Sequence, residues 1–221
     1  MRCLITGGGR GIGRAMAVQL VSQGHEVLVN DTGCGLDGSP GVLEPSGALP
    51  PPFTFDLSTA AGCQQLWVLV DGSDTPPIDA LVHCAALTQA PLATQVEVNL
   101  LAPLRLTEAF LPALRATHGV VLFFSSGVVD DCPYDHRFYT ASKAGLEAYA
   151  RCLAAQDEVD TYLVRPSAQT RLNPRATTTP EDIAQTCVRL LLERPPAYRG
   201  RVLSLPGQGR IVMEEVSSWT S

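Results

Sequence analysis

The chain has 221 residues, 45% of them hydrophobic and 17% charged, a composition typical of one globular domain rather than of a disordered chain. Its formal net charge of -6 argues against a nucleic-acid partner, and its seven cysteines form no CxxC pair or histidine-spaced cluster that would predict a metal site. No stretch approaches the roughly eighteen apolar residues of a transmembrane helix, and the apolar start is too short for a signal peptide, so we expect a cytoplasmic protein with no membrane partner.

Short apolar runs alternate along the chain with longer stretches of helical periodicity, and each run is bounded by turn residues. The runs predict seven strands, at residues 2–6, 26–31, 53–56, 80–85, 120–125, 161–165 and 201–205. The periodic stretches predict five helices, at residues 12–23, 58–70, 96–116, 140–156 and 180–193. This alternation predicts a single α/β domain over residues 1–221, a doubly wound (Rossmann) fold whose seven-stranded parallel sheet is covered on both faces.

Three segments are irregular. Residues 32–52 are crowded with glycine and proline, so we expect a long irregular crossover in place of the helix before the third strand. Residues 167–179 form a polar connection too short for a lid with its own helices, which predicts a short substrate lid. Residues 211–221 are predicted to be a C-terminal tail that either docks across an interface or frays.

A glycine-rich turn, ITGGGRGIG, follows the first strand and opens the first helix. Gly7 permits a tight turn, Gly11 permits close approach of a pyrophosphate, and Gly13 lets the helix pack against its strand. The helix N-terminus would face the anion. The turn predicts a dinucleotide site, with a purely structural glycine turn as the alternative.

Asp31 ends the second predicted strand, where an acidic side chain can accept hydrogen bonds from the adenosine ribose hydroxyls. A carboxylate there would repel a 2'-phosphate, which favours NAD. Arg10 instead favours NADP, because its cation could pair with the 2'-phosphate of NADP, although it could equally steer the pyrophosphate of either dinucleotide. We therefore predict NAD as the cofactor, with NADP as the alternative.

Polar residues follow the fifth predicted strand, at the edge where doubly wound sheets bind their ligands. Ser126 lies thirteen residues before Tyr139, and its neighbour Ser125 could serve instead, although the spacing favours Ser126.

Lys143 is the single lysine of the chain, and Tyr139 lies four residues before it at the start of an alanine-rich helix. Residues with this spacing share a helix face. At about 4.5 Å and an effective dielectric constant of about 20, the ammonium would stabilise a tyrosinate by about 4 kcal/mol, nearly enough to lower a tyrosine pKa by about three units. The spacing predicts that Lys143 makes Tyr139 acidic enough to exchange protons.

From the glycine turn to the last strand, these motifs resemble those of the short-chain dehydrogenases/reductases. The T-G-x-x-x-G-x-G motif of that family is present at residues 6–13, and its Y-x-x-x-K motif at residues 139–143. The resemblance implies four catalytic residues: Tyr139 as acid/base, Ser126 on the substrate oxygen, Lys143 on the nicotinamide ribose and Asn99 holding a relay water. It implies an NAD(P)-dependent oxidoreductase that interconverts a carbonyl and an alcohol of a small molecule.

The resemblance also implies a set of dinucleotide-binding residues, which lie in the glycine turn and after the strands of the sheet. They are Thr6, Gly7, Gly9, Arg10, Gly11, Ile12, Gly13, Asp31, Asp56, Leu57, Cys84, Ala85, Ala86, Tyr139, Lys143, Pro166 and Ser167. Several positions depart from the family pattern; among them, Cys84-Ala85-Ala86 replaces its N-A-G and Ser167 replaces the glycine of its P-G turn. Apolar stripes on the helices at 96–116 and 140–156 imply a homodimer or homotetramer.

Two other functions stay open at this point. The same tyrosine and serine could serve an isomerase, dehydratase or cyclase in which the dinucleotide is unused or recycled. The chain could also be a non-catalytic dinucleotide sensor that changes partners when the cofactor binds. The complete set of Ser126, Tyr139 and Lys143 argues against a sensor, because a sensor has no use for a proton relay.

Overall fold

The computed structural model of the chain describes residues 1–32, 52–72, 75–167, 178–207 and 209–214. Within these ranges seven strands form a single sheet in the order β2-β1-β3-β4-β5-β6-β7. The strands are β1 Arg2–Thr6, β2 Glu26–Asn30, β3 Ala80–His83, β4 Val120–Phe124, β5 Asp160–Pro166, β6 Val202–Gly207 and β7 Arg210–Met213. The first six strands run parallel, whereas β7 is antiparallel to β6.

Helices cover both faces of the sheet. They are α1 Gly11–Ser22, α2 Ala60–Val70, α3 Leu92–Val96, α4 Ala102–Ala116, α5 Val128–Asp131, α6 Arg137–Ala154 and α7 Pro180–Glu193. Helix α7 begins with a capping box, in which the Thr179 hydroxyl accepts from the Asp182 N–H and the Asp182 carboxylate accepts from the Thr179 N–H. No helix in the described part of the chain is both long enough and apolar enough to cross a bilayer.

The sheet separates two apolar layers. One layer lies under α1 and α7 and includes Met16, Leu20, Ile183 and Val188. The other lies under α2, α4 and α6 and includes Leu66, Phe110, Leu146 and Ala150. Since each face of the sheet has its own helix layer, the predicted doubly wound α/β fold is confirmed.

The predicted third strand, at residues 53–56, is wrong. Phe53 forms only an isolated parallel bridge with Asn30. Two residues later, the backbone of Phe55 is bonded to the Asn30 side chain and not to a neighbouring strand. The Asn30 Oδ1 accepts from the Phe55 N–H at 3.1 Å, and the Asn30 Nδ2 donates to the Phe55 carbonyl at 3.2 Å. Because a side chain holds the backbone there, no strand pairing extends beyond Phe53.

The seventh strand comes instead from the chain end. Residues 211–213 of the predicted tail belong to β7, which runs antiparallel to β6. The prediction of a wholly parallel sheet is therefore wrong for this strand. Gly207 and Gly209 have φ angles of +111° and +69°, which glycine adopts without steric cost and which reverse the chain between β6 and β7. Residues 215–221 of the tail lie outside the described residues, as do the interior of the irregular crossover predicted at 32–52 and most of the short lid predicted at 167–179.

The helix predicted at 96–116 consists of three pieces. Helix α3 leads into a π-helical turn, Glu97–Leu101, which continues into α4. Pro103 contributes to this irregularity because it has no N–H to donate to the Asn99 carbonyl, its partner in an α-helix. The turn places Asn99 at the carboxyl edge of the parallel strands, where the other predicted site residues also lie.

Candidate active site

The glycine turn leaves room for an anion. A Cβ atom at Gly7 would lie 2.6 Å from the Ala85 nitrogen, and a Cβ at Gly13 would lie 2.4 Å from the Gly7 carbonyl oxygen, so both positions require glycine for packing. Gly11 has a φ of +53° and a Cβ there would meet nothing within 4 Å, so this glycine faces open space. Arg10, the N-cap of α1, makes no side-chain cap hydrogen bond. The start of α1 therefore fits a pyrophosphate, which could accept from its first N–H groups.

Substituting Gly13 by alanine is expected to distort this turn. The new Cβ would collide with a backbone oxygen rather than with a flexible side chain, and overpacking of this kind costs about 1–3 kcal/mol of stability. We expect dinucleotide affinity to fall about tenfold or more, as measured by isothermal titration together with the Tm. Gly127→Ala is the control, because a Cβ at Gly127 meets nothing within 4 Å. Equal affinities in the two variants would contradict the prediction.

The predicted adenosine-side residues lie along the same edge. Asp31 is buried, and its Oδ2 accepts from the Gly9 N–H at 3.0 Å, so the carboxylate touches the glycine turn. Asp56 is exposed and accepts from the Ser58 N–H at 2.9 Å, whereas Leu57 is buried in the core. The structure thus places Asp31 against the glycine turn.

Backbone contacts hold the segment after β3 against β1. The Cys84 N–H donates to the Thr6 carbonyl at 3.2 Å, and the Ala85 N–H donates to the Thr6 hydroxyl at 3.5 Å. The Thr6 hydroxyl in turn donates to the Val82 carbonyl at 3.3 Å. These contacts fix Ala85 against Gly7, so the departures from the family pattern at 84–86 leave the close packing at the turn intact. Burial raises the pKa of the Cys84 thiol to about 12, which keeps it neutral.

Tyr139 and Lys143 share the buried face of α6, as their spacing predicts. Tyr139 is 7% exposed and Lys143 is 2% exposed. The Lys143 Nζ lies 5.7 Å from the centroid of the Tyr139 ring and donates to the Phe124 carbonyl, at the end of β4, at 2.8 Å. The single ammonium is thus held between the end of a central strand and the tyrosine ring.

The two serines after β4 point to different partners. Ser126 is partly exposed; its hydroxyl accepts from the Val128 N–H at 3.4 Å and lies near enough to Tyr139 to lower the pKa of that phenol. The Ser125 hydroxyl is buried and donates to Glu147 Oε1 at 2.6 Å. Because the Ser125 hydroxyl is already used within the protein, the geometry favours Ser126 as the partner of Tyr139.

The structure does not show the lowered pKa that the sequence predicts for Tyr139. Burial raises the pKa of Tyr139 to about 12, and the hydrogen bond from Ser126 offsets only part of the shift. Burial also lowers the pKa of Lys143 to about 8, against the opposing effect of the Glu147 carboxylate. Desolvation of the buried phenol is the largest of these effects, and the charge attraction expected from the spacing of Tyr139 and Lys143 does not include it. Tyr139 is therefore protonated at neutral pH, the form that can donate a proton.

Asn99 is completely buried in the π-helical turn. Its Oδ1 accepts from the Leu87 N–H at 2.7 Å, and its Nδ2 donates to the Leu87 carbonyl at 2.8 Å and to the Ser142 hydroxyl at 3.2 Å. The side chain therefore joins the segment after β3 to α6. Pro103, four residues after Asn99, has no N–H to donate to the Asn99 backbone carbonyl.

Two buried charges beside the site were not predicted from the sequence. Arg165, near the end of β5, donates through Nε and Nη2 to the two carboxylate oxygens of Glu147 at 2.8 and 3.0 Å. Their side chains are 7% and 4% exposed. The available signals were an arginine in an apolar strand and a glutamate four residues after Lys143, on the same face of α6. Pro166 and Ser167, which follow Arg165, continue β5 toward the site, and the Ser167 N–H donates to the Leu205 carbonyl at 3.0 Å.

Comparison with known proteins agrees with this arrangement. The family model described as short chain dehydrogenase matches residues 2–170. The short chain dehydrogenase asqE of Emericella nidulans is 30% identical over 177 residues, covering 71% of this chain and 65% of the relative. The 3-oxoacyl-acyl-carrier-protein reductase FabG of Escherichia coli is 26% identical over 163 residues, covering 69% and 66%. The chain thus spans about two thirds of the length of these relatives.

Two solved structures extend the likeness to the whole fold. A metagenomic short-chain oxidoreductase in complex with NADP is 27% identical, with a TM-score of 0.69, covering 86% of this chain and 90% of that one. An alcohol dehydrogenase from the archaeon Thermococcus sibiricus, complexed with 5-hydroxy-NADP, is 25% identical, with a TM-score of 0.75, covering 94% and 97%. With a family model that matches most of its length, the chain belongs to the short-chain dehydrogenase/reductase family.

Proposed function

We propose that this enzyme interconverts a carbonyl and an alcohol of a small molecule, with Tyr139 as the acid/base. The observation that carries the proposal is the meeting of Ser126, Tyr139 and Lys143 at the carboxyl edge of the sheet, beside a glycine turn open to an anion. The reaction needs those three groups next to a dinucleotide.

The bound dinucleotide would supply or accept hydride, and this chain's residues would manage the proton and the substrate oxygen. In the reducing direction Ser126 donates a hydrogen bond to the carbonyl oxygen, and the protonated Tyr139 gives that oxygen its proton. Lys143 then stabilises the resulting tyrosinate by its nearby charge. An ammonium has three donors, of which one is used on Phe124, so two remain for the ribose hydroxyls.

Proton return to Tyr139 would pass through a water held at Asn99. The supporting feature is the Asn99 backbone carbonyl, because Pro103, four residues later, has no N–H to donate to it. The Asn99 side chain holds Leu87 and Ser142 and so keeps this carbonyl at a fixed distance from α6.

We propose NAD rather than NADP as the preferred cofactor, although two similar solved structures contain NADP or its derivative. The reason is Asp31, whose buried carboxylate lies against the glycine turn at Gly9. A 2'-phosphate beside it would bring two anions together in a partly desolvated site, which costs several-fold in affinity or more.

Asp31→Asn is expected to reduce the preference for NAD over NADP about tenfold or more, because it removes the negative charge and keeps an oxygen that can accept from Gly9. Titration of the wild type and the variant with each dinucleotide gives the ratio of the two Kd values. Asp71→Asn, which removes one charge at the far end of α2, is the control. An unchanged ratio in Asp31→Asn would show that Asp31 does not select the cofactor.

The reaction itself is tested by mixing the enzyme with NADH or NADPH and a panel of aldehydes and ketones, and following the near-ultraviolet absorbance of the reduced nicotinamide. Consumption of the reduced dinucleotide with formation of the alcohol supports the proposal. Conversion of substrate without a net change in the dinucleotide would indicate the non-redox alternative, and tight binding without conversion would indicate the sensor. The predicted homodimer or homotetramer stays a prediction.

A further inference from the structure

A network of four side chains, three of them buried, surrounds the end of β4. Its centre is the ion pair between Arg165 on β5 and Glu147 on α6, which is joined by two parallel hydrogen bonds. Glu147 Oε1 also accepts from the Ser125 hydroxyl at 2.6 Å, and Arg165 Nη1 donates to the Asp130 carboxylate on α5. The network therefore joins β4, α5, β5 and α6.

The two outer members of the network lie on either side of Ser126 in the chain. Ser125 immediately precedes it, and Asp130 follows four residues later, in the short helix Val128–Asp131. This helix has only four residues and none of them is buried, so packing alone holds it weakly. The Thr140 hydroxyl adds only a long contact, at 3.4 Å, to the Val128 carbonyl.

Burying a charged pair does not by itself favour folding. Removing two charges from water costs about as much as their attraction returns, so apolar residues of similar size often stabilise a protein equally well. A bidentate arginine pair does fix geometry, because both planar groups must align. A fixed geometry is what a hydroxyl needs when it must hold a substrate oxygen beside an acid.

We propose that the Glu147–Arg165 ion pair positions Ser126 for catalysis, by holding Ser125 before it and Asp130 after it. This inference rests on the proposed function, in which Ser126 binds the substrate oxygen. The four network members are positioning residues, since they act through Ser126 and not on the substrate. Glu147 lies one helical turn after Lys143, so the same network also borders the ammonium.

Asp130→Ala is the sharpest test, because its side chain is 64% exposed and the substitution should leave the Tm almost unchanged. We expect kcat to fall about tenfold with the dinucleotide Kd unaltered, since a misplaced hydroxyl affects the reaction more than cofactor binding. Backbone amides of residues 125–131 should exchange hydrogen faster than in the wild type. The matched control is Asp131→Ala, which removes the same charge from the same helix while Arg165 keeps both of its described carboxylate partners.

A second variant separates positioning from stability. Ser125→Ala combined with Asp130→Ala removes both connections to the Ser126 segment and leaves the ion pair whole. We expect a fall in kcat of about a hundredfold. Normal kcat in this double variant, or kcat and exchange in Asp130→Ala equal to those in Asp131→Ala, would overturn the inference. Faster exchange with unchanged kcat would overturn it too.

A failure of this inference can be distinguished from a failure of the proposed function. If the wild type turned over no carbonyl or alcohol with either dinucleotide, the proposed function would fail, whereas hydrogen exchange would still show whether the network holds residues 125–131. Unchanged exchange in that case would overturn the inference independently.

Discussion

Replacing Tyr139 by phenylalanine is expected to abolish turnover while the fold and the binding of dinucleotide persist. The ring is buried, at 7% exposure, and phenylalanine retains it, so only the hydroxyl that interacts with Ser126 is lost. A positioned general acid contributes about a hundredfold to ten-thousandfold. We therefore expect kcat to fall at least about a thousandfold, as measured by nicotinamide absorbance, with the Kd for NAD unchanged.

The matched control is Tyr134→Phe, which removes a hydroxyl from an exposed tyrosine five residues earlier. The Tyr134 ring packs against the Arg137 guanidinium at 4.5 Å, a contact that phenylalanine can keep. We expect this control to behave like the wild type. Turnover in Tyr139→Phe within tenfold of the control would mean that another group exchanges the proton.

Lys143→Arg is expected to inactivate the enzyme although it keeps the positive charge. Lys143 is 2% exposed and its Nζ donates to the Phe124 carbonyl. A guanidinium is wider and planar, so it cannot take the place of a compact ammonium with donors in several directions, and overpacking costs about 1–3 kcal/mol. We expect kcat to fall about a hundredfold or more and the Tm to decrease.

Lys143→Met separates shape from charge, because methionine is unbranched and of similar length. We expect the Tm of Lys143→Met to lie above that of Lys143→Arg. We expect its activity to be as low as that of Lys143→Arg, since methionine has neither charge nor donor. Activity in Lys143→Arg within a few-fold of the wild type would show that charge alone is sufficient and that the compact ammonium has no special role.

The parallel part of the fold was predictable because its signals are local. Apolar runs such as Val120–Phe124 are bounded by turn residues and separated by helical periodicity, and the structure keeps them as central strands. The strand expected at 53–56 failed for a reason that no local pattern reveals, since the Asn30 side chain takes the backbone groups of Phe55. The short strand β7 was missed because its pairing depends on a reversal at Gly207 and Gly209.

The positions of the site residues were predictable, but their electrostatics were not. The spacing of Tyr139 and Lys143 on one helix determines that they share a face, whereas the burial that raises the tyrosine pKa comes from the whole fold. Glu147 and Arg165 illustrate the same limit. They lie eighteen residues apart on different elements, and only the packing of α6 against β5 brings them together.

A crystal structure of the enzyme with NADH would test the central claim most directly. We expect the pyrophosphate at the glycine turn, Lys143 on the nicotinamide ribose, and the hydroxyls of Ser126 and Tyr139 both within about 3 Å of one position facing the nicotinamide. A dinucleotide bound away from the glycine turn, or a Tyr139 hydroxyl directed away from the nicotinamide, would contradict the account.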